Sequence, residues 1–536
     1  MAIAHSFTNC YQRWYDTVLT RLSQRPVVYI LLFVFFLGGS WLRFYHLRDT
    51  LMFQGDQGRD AIVVSDIFRR LDPVFIGPVT SVGNMYLGPF YYYFMLPFLW
   101  LSYPSPLGPA IGVALVNSVT ILLVYRLGSR LVGSRAALWA SFFFAFSQIA
   151  ITYSRFSWNP NLSALFALLV LYYTHRAYTV PKSWLWVGLC AGLLIQLHYV
   201  NLILLAVSLI FWLRQLYLHR QDRQWFVAQH FWRWTVIGLS VFVLTAVPLL
   251  LFDWKHDFLN ARAAVSIFSQ ESSFSDQQFS FLTSIIFFCQ SIPGRLGHLF
   301  STLFLPNFDY YWWRVGFGLF CIAAFAYYSY RHRHSRLAAG YMLLTLTALI
   351  SVTALALYRH SVFDHYILFF LPVNFLMIGT LLADWQGKLR SCALLVSSLA
   401  VVLAYFVGNY RPGFYTPPGQ TYSQTQAVAE FVNSITDSHE KYTFILFGAN
   451  RDLLGDHYRF FFDNLSNNRI LPLSSFLDSD VFYVIDETRS IDITHTDRYE
   501  IKEYLKQNDA TYSSIATPEN FPRLYRLYPQ LDKELL

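Results

Sequence analysis

Residues 86–103 read YLGPFYYYFMLPFLWLSY, and whether this stretch crosses a membrane decides how the rest of the chain is arranged. By hydropathy alone it qualifies as a span. A crossing here would separate the Arg-rich start of the chain (Arg13, Arg21, Arg25) from the later basic loops, against the cytoplasmic excess of Lys and Arg that orients membrane proteins. Its Tyr and Trp rings suit the headgroup layer better. The stretch is therefore expected to lie in, or dip into, the outer interface.

Working outward, apolar runs suited to spanning lie near 26–46, 107–125, 136–153, 161–175, 184–198, 199–213, 234–252, 313–330, 337–357, 365–383 and 390–408. One set of connecting loops is basic: Arg126, Arg130 and Arg135; Arg176 and Lys182; Arg214, Arg220, Arg223 and Arg233; Arg331, Arg333 and Arg336; Lys388 and Arg390. The alternate set, around 154–160, 198–201 and 358–364, holds only Arg155 and Arg359. Positive-inside topology makes the first set cytoplasmic. The expectation is an all-α polytopic membrane protein of about eleven transmembrane helices plus interfacial helices, in the plasma or inner membrane. The N-terminus is placed in the cytoplasm, and the first run is read as a retained anchor rather than a cleaved signal.

Composition agrees with this reading. The 536 residues are 55% hydrophobic and 13% charged, against roughly 25% charge in soluble domains, which excludes a soluble multidomain enzyme or a disordered chain. The net charge of +8 is uneven: residues 1–410 hold 28 Lys and Arg against 14 Asp and Glu, and residues 411–536 hold 12 against 18. Because the positive charge sits in loops between spans, a nucleic-acid partner is not expected. The five cysteines, Cys10, Cys190, Cys289, Cys321 and Cys392, form no metal or disulfide pattern.

These patterns divide the chain into a cytoplasmic segment 1–25, a membrane domain 26–410 with outer loops at about 47–106 and 253–312, and a small extracytoplasmic α/β domain 411–536. The last carries helix-like segments at 425–435 and 501–507 and strand-like segments at 442–448 and 481–486. It follows a Pro- and Gly-rich linker, RPGFYTPPGQ, at 411–420. No internal repeat is apparent, which weighs against a transporter built from inverted repeats.

Five of the fourteen acids before residue 411 lie in the first outer loop: Asp49, Asp56, Asp60, Asp66 and Asp72. In Phe53-Gln54-Gly55-Asp56-Gln57-Gly58-Arg59-Asp60-Ala61, followed by an amphipathic AIVVSDIFRRL, helical spacing puts Asp56, Arg59 and Asp60 on one face. A purely structural reading makes Asp56 the cap of that helix and Asp66/Arg70 an i,i+4 pair.

At this point the chain resembles the C-type polyprenyl-phosphate-sugar transferases (the GT-C class), which include the protein O-mannosyltransferases of glycosyltransferase family 39 and the lipid A aminoarabinose transferases. The matching residues are 55–60, Leu87-Gly88-Pro89-Phe90-Tyr91-Tyr92, Tyr153-Ser154-Arg155-Phe156-Ser157-Trp158-Asn159-Pro160-Asn161, and His365-Tyr366-Ile367-Leu368-Phe369-Phe370-Leu371-Pro372. The chain departs from many relatives in having Asp56-Gln57 for Asp-Glu, and Leu87-Gly88-Pro89 for His-Pro-Pro. The resemblance implies an inverting transferase that moves a sugar from a polyprenyl-phosphate donor to a hydroxyl of a protein, lipid or glycan acceptor at the outer face. Asp56 would be the base and Asp60 a second acceptor-binding acid. Arg59 would hold the carboxylates, Arg155 and Arg359 the leaving phosphate, His198 and His365 would assist there, and Tyr91 and Asn159 would contact the sugar. No residues stand out as metal ligands, and the sequence leaves open whether a divalent cation assists. The alternative from another class is a transporter or flippase of a lipid-linked or small polar substrate. It would want ionisable groups at the bilayer midplane, where these spans are almost free of Asp, Glu and Lys.

Overall fold

The computed structural model describes residues 26–80, 85–268, 281–409, 421–448, 454–466, 469–518 and 521–529. Segment 1–25 and the linker 411–420 lie outside the described residues. The membrane part is helical: α1 (Pro26–Phe44), α2 (Gly55–Arg69), α3 (Phe90–Ser102), α4 (Leu107–Val132), α5 (Ser134–Phe146), α6 (Ser163–Ala177), α7 (Trp184–Leu197), α8 (Leu202–His219), α9 (Phe231–Lys255), α10 (Leu259–Phe268), α11 (Phe281–Gly297), α12 (Tyr311–Arg331), α13 (Ala338–Leu357), α14 (Leu371–Gln386) and α15 (Ser391–Asn409). Each of the eleven apolar runs falls on a helix. Seven described helices are long and apolar enough to cross a membrane: α1, α4, α8 with its preceding turn, α9, α13, α14 with its preceding turn, and α15. The other four runs lie on α5, α6, α7 and α12. Of these, α5 breaks at Ser147 before a short turn 148–152, and α6 and α7 are each extended by a preceding 3-10 turn.

Because these helices are apolar on every side, they bury one face in the bundle and turn the other to lipid. In α1, α9 and α15 most side chains face outward, whereas α4, α13 and α14 lie largely inside. Where backbones approach closely, glycine is required: a Cβ on Gly188 of α7 would fall 2.0 Å from the carbonyl oxygen of Gly238 on α9, the small-residue contact that lets membrane helices pack without a hydrophobic driving force.

Helix α3 occupies most of the Tyr-rich stretch 86–103. Its 13 residues rise about 20 Å, short of a hydrocarbon core of about 30 Å. Both of its ends also lie on the same side of the bundle: Tyr91 and Tyr92 meet Ser157 and Asp60, while Tyr103 bonds Asn464 of the C-terminal unit.

The C-terminal unit adds α16 (Tyr422–Ile435), α17 (Asp456–Leu465), α18 (Tyr499–Gln507) and a sheet of β1 (Tyr442–Phe447), β2 (Val481–Asp486), β3 (Ala510–Ile515) and β4 (Arg523–Pro529) in the order β1-β2-β4-β3. Strands β1 and β2 run parallel, Tyr442 opposite Val481, and β4 is antiparallel to both β2 and β3. The period-2 alternation of strands gives this sheet two buried faces. Tyr442, Phe444, Leu446, Tyr483 and Ile485 join α16, α17 and the apolar core that continues into the membrane domain, while Ile445, Phe482 and Val484 pack with Ile501, Tyr504 and Leu527 in a separate core. The unit is thus docked on the bundle. Met52 pairs with Thr421, Tyr422 N–H donates to the Leu51 carbonyl at 2.9 Å, and Phe53 sits edge-on to Phe460 and Phe461.

Candidate active site at the acidic end of the bundle

The acidic loop becomes helix α2, and Gln54, not Asp56, caps it: Gln54 N–H donates to Gln57 Oε1 at 3.0 Å in a capping box. This leaves Asp56 free in the first turn, where the helix dipole favours a carboxylate. The Arg59 guanidinium donates to Asp56 Oδ1 at 2.9 Å through Nη1, and to Asp60 Oδ1 at 3.0 and 2.8 Å through Nε and Nη2. The two acids then differ sharply. The Asp56 side chain is 47% exposed, whereas that of Asp60 is 1% exposed. Tyr92 OH donates to Asp60 Oδ1 at 3.3 Å, and Asp60 Oδ2 is buried with no partner among the described residues. Burial pushes the Asp60 carboxyl up to about 6 against the pull of Arg59. Burial also weakens the Arg59 charge, but Asp60 and Asp56 outweigh it and raise its pKa.

The other loops singled out in the sequence meet next to this helix. Tyr91 OH bonds Ser157 Oγ at 2.8 Å. The Trp158 ring lies 4.5 Å from His365, and His198 lies 6.1 Å from His365 and 4.6 Å from Tyr366, centroid to centroid. Asp60, Tyr92, Tyr91, Ser157, Trp158 and His365 therefore follow one another without a break.

Two expected ligand-binding residues bond main-chain carbonyls. Arg155 is buried and donates to the carbonyls of Leu42, Arg43 and Tyr45 at 2.7, 3.2 and 2.8 Å and to Thr50 Oγ1, closing the end of α1. It satisfies helix-terminal acceptors that would otherwise be buried unpaired. Asn159 Nδ2 donates to the Leu197 carbonyl at 2.6 Å and closes α7 in the same way. His198 Nδ1 accepts from Val200 N–H at 3.2 Å, and Arg359 is exposed in the 358–363 loop.

Beside His365 lies a cavity of about 290 Å³ lined by Gly294, Gly297, His298, Tyr311, Arg314 and Asp364. His298 Nε2 pairs with Asp364 Oδ1 at 2.8 Å, and Arg314 pairs with Asp309 at 2.7 Å. His298, Arg314 and Asp364 were not singled out in the sequence, because they come from the end of α11, the start of α12 and the turn before α14, with no common motif. Nor was Arg43, fully buried at the end of α1, whose guanidinium reaches the Gly39, Ala145 and Phe144 carbonyls and Ser154 Oγ. Among the described residues no group of three or more His, Cys, Asp or Glu is placed to hold a metal. Between Asp56 and Asp60 the position a cation would take is filled by the Arg59 fork, so these residues do not fit a metal centre.

The basic loops gather at the far end. A Cβ on Gly340 would meet the Leu131 carbonyl, Gly387 approaches Arg135, and Gln215 bonds the Ala177 carbonyl at 2.9 Å. Most arginines of the short loops therefore lie at the end away from α2, while Arg59, Arg155 and Arg314 stay at the end that holds the acids.

Comparison with known proteins bears on the fold. Residues 88–248 match the family model described as dolichyl-phosphate-mannose-protein mannosyltransferase. The structure is similar to that of ArnT from Cupriavidus metallidurans bound to undecaprenyl phosphate, with TM-score 0.53 and 13% identity over 92% of this chain and 97% of that one. The apo state of ArnT gives TM-score 0.54 at the same identity and coverage. The Archaeoglobus fulgidus oligosaccharyltransferase, in complex with Zn and sulfate, gives TM-score 0.51 and 13% identity over 86% of this chain and 68% of its own. No curated protein matches the chain. In the matched region and in its fold the chain is similar to the C-type glycosyltransferases, as the resemblance implied.

Proposed function

We propose that the chain transfers a sugar from a polyprenyl-phosphate donor to an acceptor hydroxyl at the outer face of the membrane, with Asp56 as the acceptor-activating carboxylate. The observation that carries this reading is the contrast within one helical turn: Asp56 reaches solvent while Asp60, on the same guanidinium, is enclosed. The acceptor oxygen attacks the anomeric carbon and its proton passes to Asp56. The bond from that carbon to the phosphate oxygen breaks, and the polyprenyl phosphate leaves with the electron pair and the configuration inverted. A carboxylate is a weak base for a hydroxyl, so Asp56 orients the nucleophile and takes the proton late. Asp60 is too enclosed to bind an acceptor and acts through Arg59, which it anchors from beneath.

Arg155 and Asn159 are assigned to structure, since both are saturated by carbonyls. The departing phosphate is assigned to the cavity of His298 and Arg314, with Arg359 and His365 the further candidates in the adjoining 358–365 segment, because a guanidinium stabilises an oxyanion leaving group. Tyr91, bonded to Ser157, and His198, beside His365 and Tyr366, are assigned to the substrate wall near Trp158. The undecaprenyl phosphate bound by ArnT supports a donor of this kind. The Arg-rich loops at the far end support an orientation with that end and the N-terminus in the cytoplasm and the C-terminal unit outside.

The test is transfer by the purified chain from defined polyprenyl-phosphate sugars, with Asp56→Asn beside the unaltered protein. Full activity of the variant would remove Asp56 from the mechanism. Lipid-linked sugars accumulating in cells without the protein identify the donor.

A further inference from the structure

The bundle carries a second, differently built hollow at the end opposite the acidic site. Helix α8 begins beside His198 and runs 18 residues, about 27 Å, to the far end. There a short helix Arg223–Ala228 leads into α9, and α9 returns to the acidic end, where Phe252 meets Tyr86. In the turn between them lies a cavity of about 370 Å³ lined by Arg223, Phe226, Val227, His230, Trp232 and Arg233.

Its walls have two characters. One is cationic: among the described residues neither Arg223 nor Arg233 has a carboxylate partner, and the neighbouring Asp222 is spent on capping the short helix, accepting from Trp225 N–H at 2.9 Å. The Arg233 guanidinium rests 5.6 Å over the Trp234 ring, a contact that holds it in place without neutralising it. The other wall is apolar and held by rings, with Phe226 stacked on Trp232 and Trp212 on Phe231. It runs without interruption into the outward face of α9, where Trp232, Val236, Leu239 and Leu244 are all more than half exposed.

We propose that this hollow holds the phosphate of an anionic membrane phospholipid, its acyl chains lying along α9. Two unpaired guanidiniums offer parallel donors to a phosphate diester. A soluble acidic partner would satisfy the arginines but leave the adjoining apolar strip without a complement, which an acyl chain supplies. The site lies apart from the residues assigned to sugar transfer and does not depend on that assignment.

The test uses the full-length protein in detergent, titrated with phosphatidylglycerol and read by native mass spectrometry. The double variant Arg223→Gln/Arg233→Gln is expected to bind phosphatidylglycerol about tenfold more weakly than the unaltered protein, falling to the level of phosphatidylcholine. The variant Arg220→Gln, whose guanidinium packs over Tyr217, is expected to bind as the unaltered protein does. Equal phosphatidylglycerol binding by the double variant overturns the proposal. So does an equal loss in Arg220→Gln, which would reduce the site to general basicity, and so does displacement of the lipid by inorganic phosphate, which would make it a site for a free anion. Sugar transfer by the double variant in phosphatidylcholine vesicles is expected to be unchanged.

Discussion

A Cβ on Gly58 would stand 2.3 Å from the backbone nitrogen of His457, so the first turn of α2 rests directly on the first turn of α17. The helix that carries Asp56, Arg59 and Asp60 is therefore braced by the C-terminal unit, and that unit is part of the site rather than an appendage on a linker. In an open helix Gly→Ala stabilises by about 1 kcal/mol. Here the methyl would meet backbone that cannot step aside, and overpacking costs about 1–3 kcal/mol. Gly58→Ala is expected to lower the unfolding temperature and the transfer rate together. A melting temperature that rises would show the contact to be slack.

Asp56 and Asp60 share one arginine but differ in access, and their amide variants should separate. Asp56→Asn is expected to abolish transfer with stability unchanged, because an exposed carboxylate contributes little to folding. Asp60→Asn leaves the Arg59 fork facing a neutral amide, and is expected to reduce the turnover rate more than it raises the KM for acceptor. Arg59→Lys should behave like Asp60→Asn, since a point charge cannot bridge both acids. Equal kinetics for Asp56→Asn and Asp60→Asn would contradict the division of labour.

The Asp60 carboxyl gives a pH dependence of definite sign. Its pKa rises from 3.8 to about 6 on folding, so the folded chain takes up this proton more readily than the unfolded one. The associated stability is fully present below pH 4 and is lost as pH rises through 6, a change of at most about 3 kcal/mol. Thermal unfolding in detergent should show this slope between pH 4 and 6 in the unaltered protein and lack it in Asp60→Asn. Parallel profiles would remove Asp60 as its source.

Arg155 tests the opposite kind of assignment. Its guanidinium satisfies three carbonyls at the end of α1, and a lysine cannot reproduce the fork. Arg155→Lys is expected to cost roughly 2–3 kcal/mol of stability while leaving the KM for donor within a factor of about two, since a phosphate ligand would lose far more. A large rise in donor KM with an unchanged melting temperature would return Arg155 to the phosphate.

What was legible in the sequence follows from how far each signal reaches. Apolar runs are local and long, so each expected span fell on a helix. Local spacing also joined Asp56, Arg59 and Asp60, which lie within five residues. The carbonyl partners of Arg155 and Asn159 were not legible, because a cation or amide reads the same in sequence whether it meets a ligand or a main-chain carbonyl 113 or 38 residues away. Strands β3 and β4 escaped for a similar reason: their half-exposed faces dilute the alternation that made β1 and β2 visible. The His298, Arg314 and Asp364 cavity is assembled by tertiary packing alone.

That cavity supplies the last expectation. Arg314 lies on its wall, oriented by Asp309 at 2.7 Å and by the Phe308 carbonyl at 3.1 Å, and Asp309 is 76% exposed and so does little to neutralise it in water. A donor phosphate entering beside His298 would replace that weak partner with a doubly bonded one. Arg314→Gln is expected to raise the KM for the polyprenyl-phosphate donor at least tenfold, a loss of about 1.4 kcal/mol, with the KM for acceptor unchanged. Inhibition by added polyprenyl phosphate, the product, should weaken by the same factor, because substrate and product present the same phosphate. A variant whose product inhibition stays intact would place the phosphate elsewhere, with the exposed Arg359 the next residue to examine.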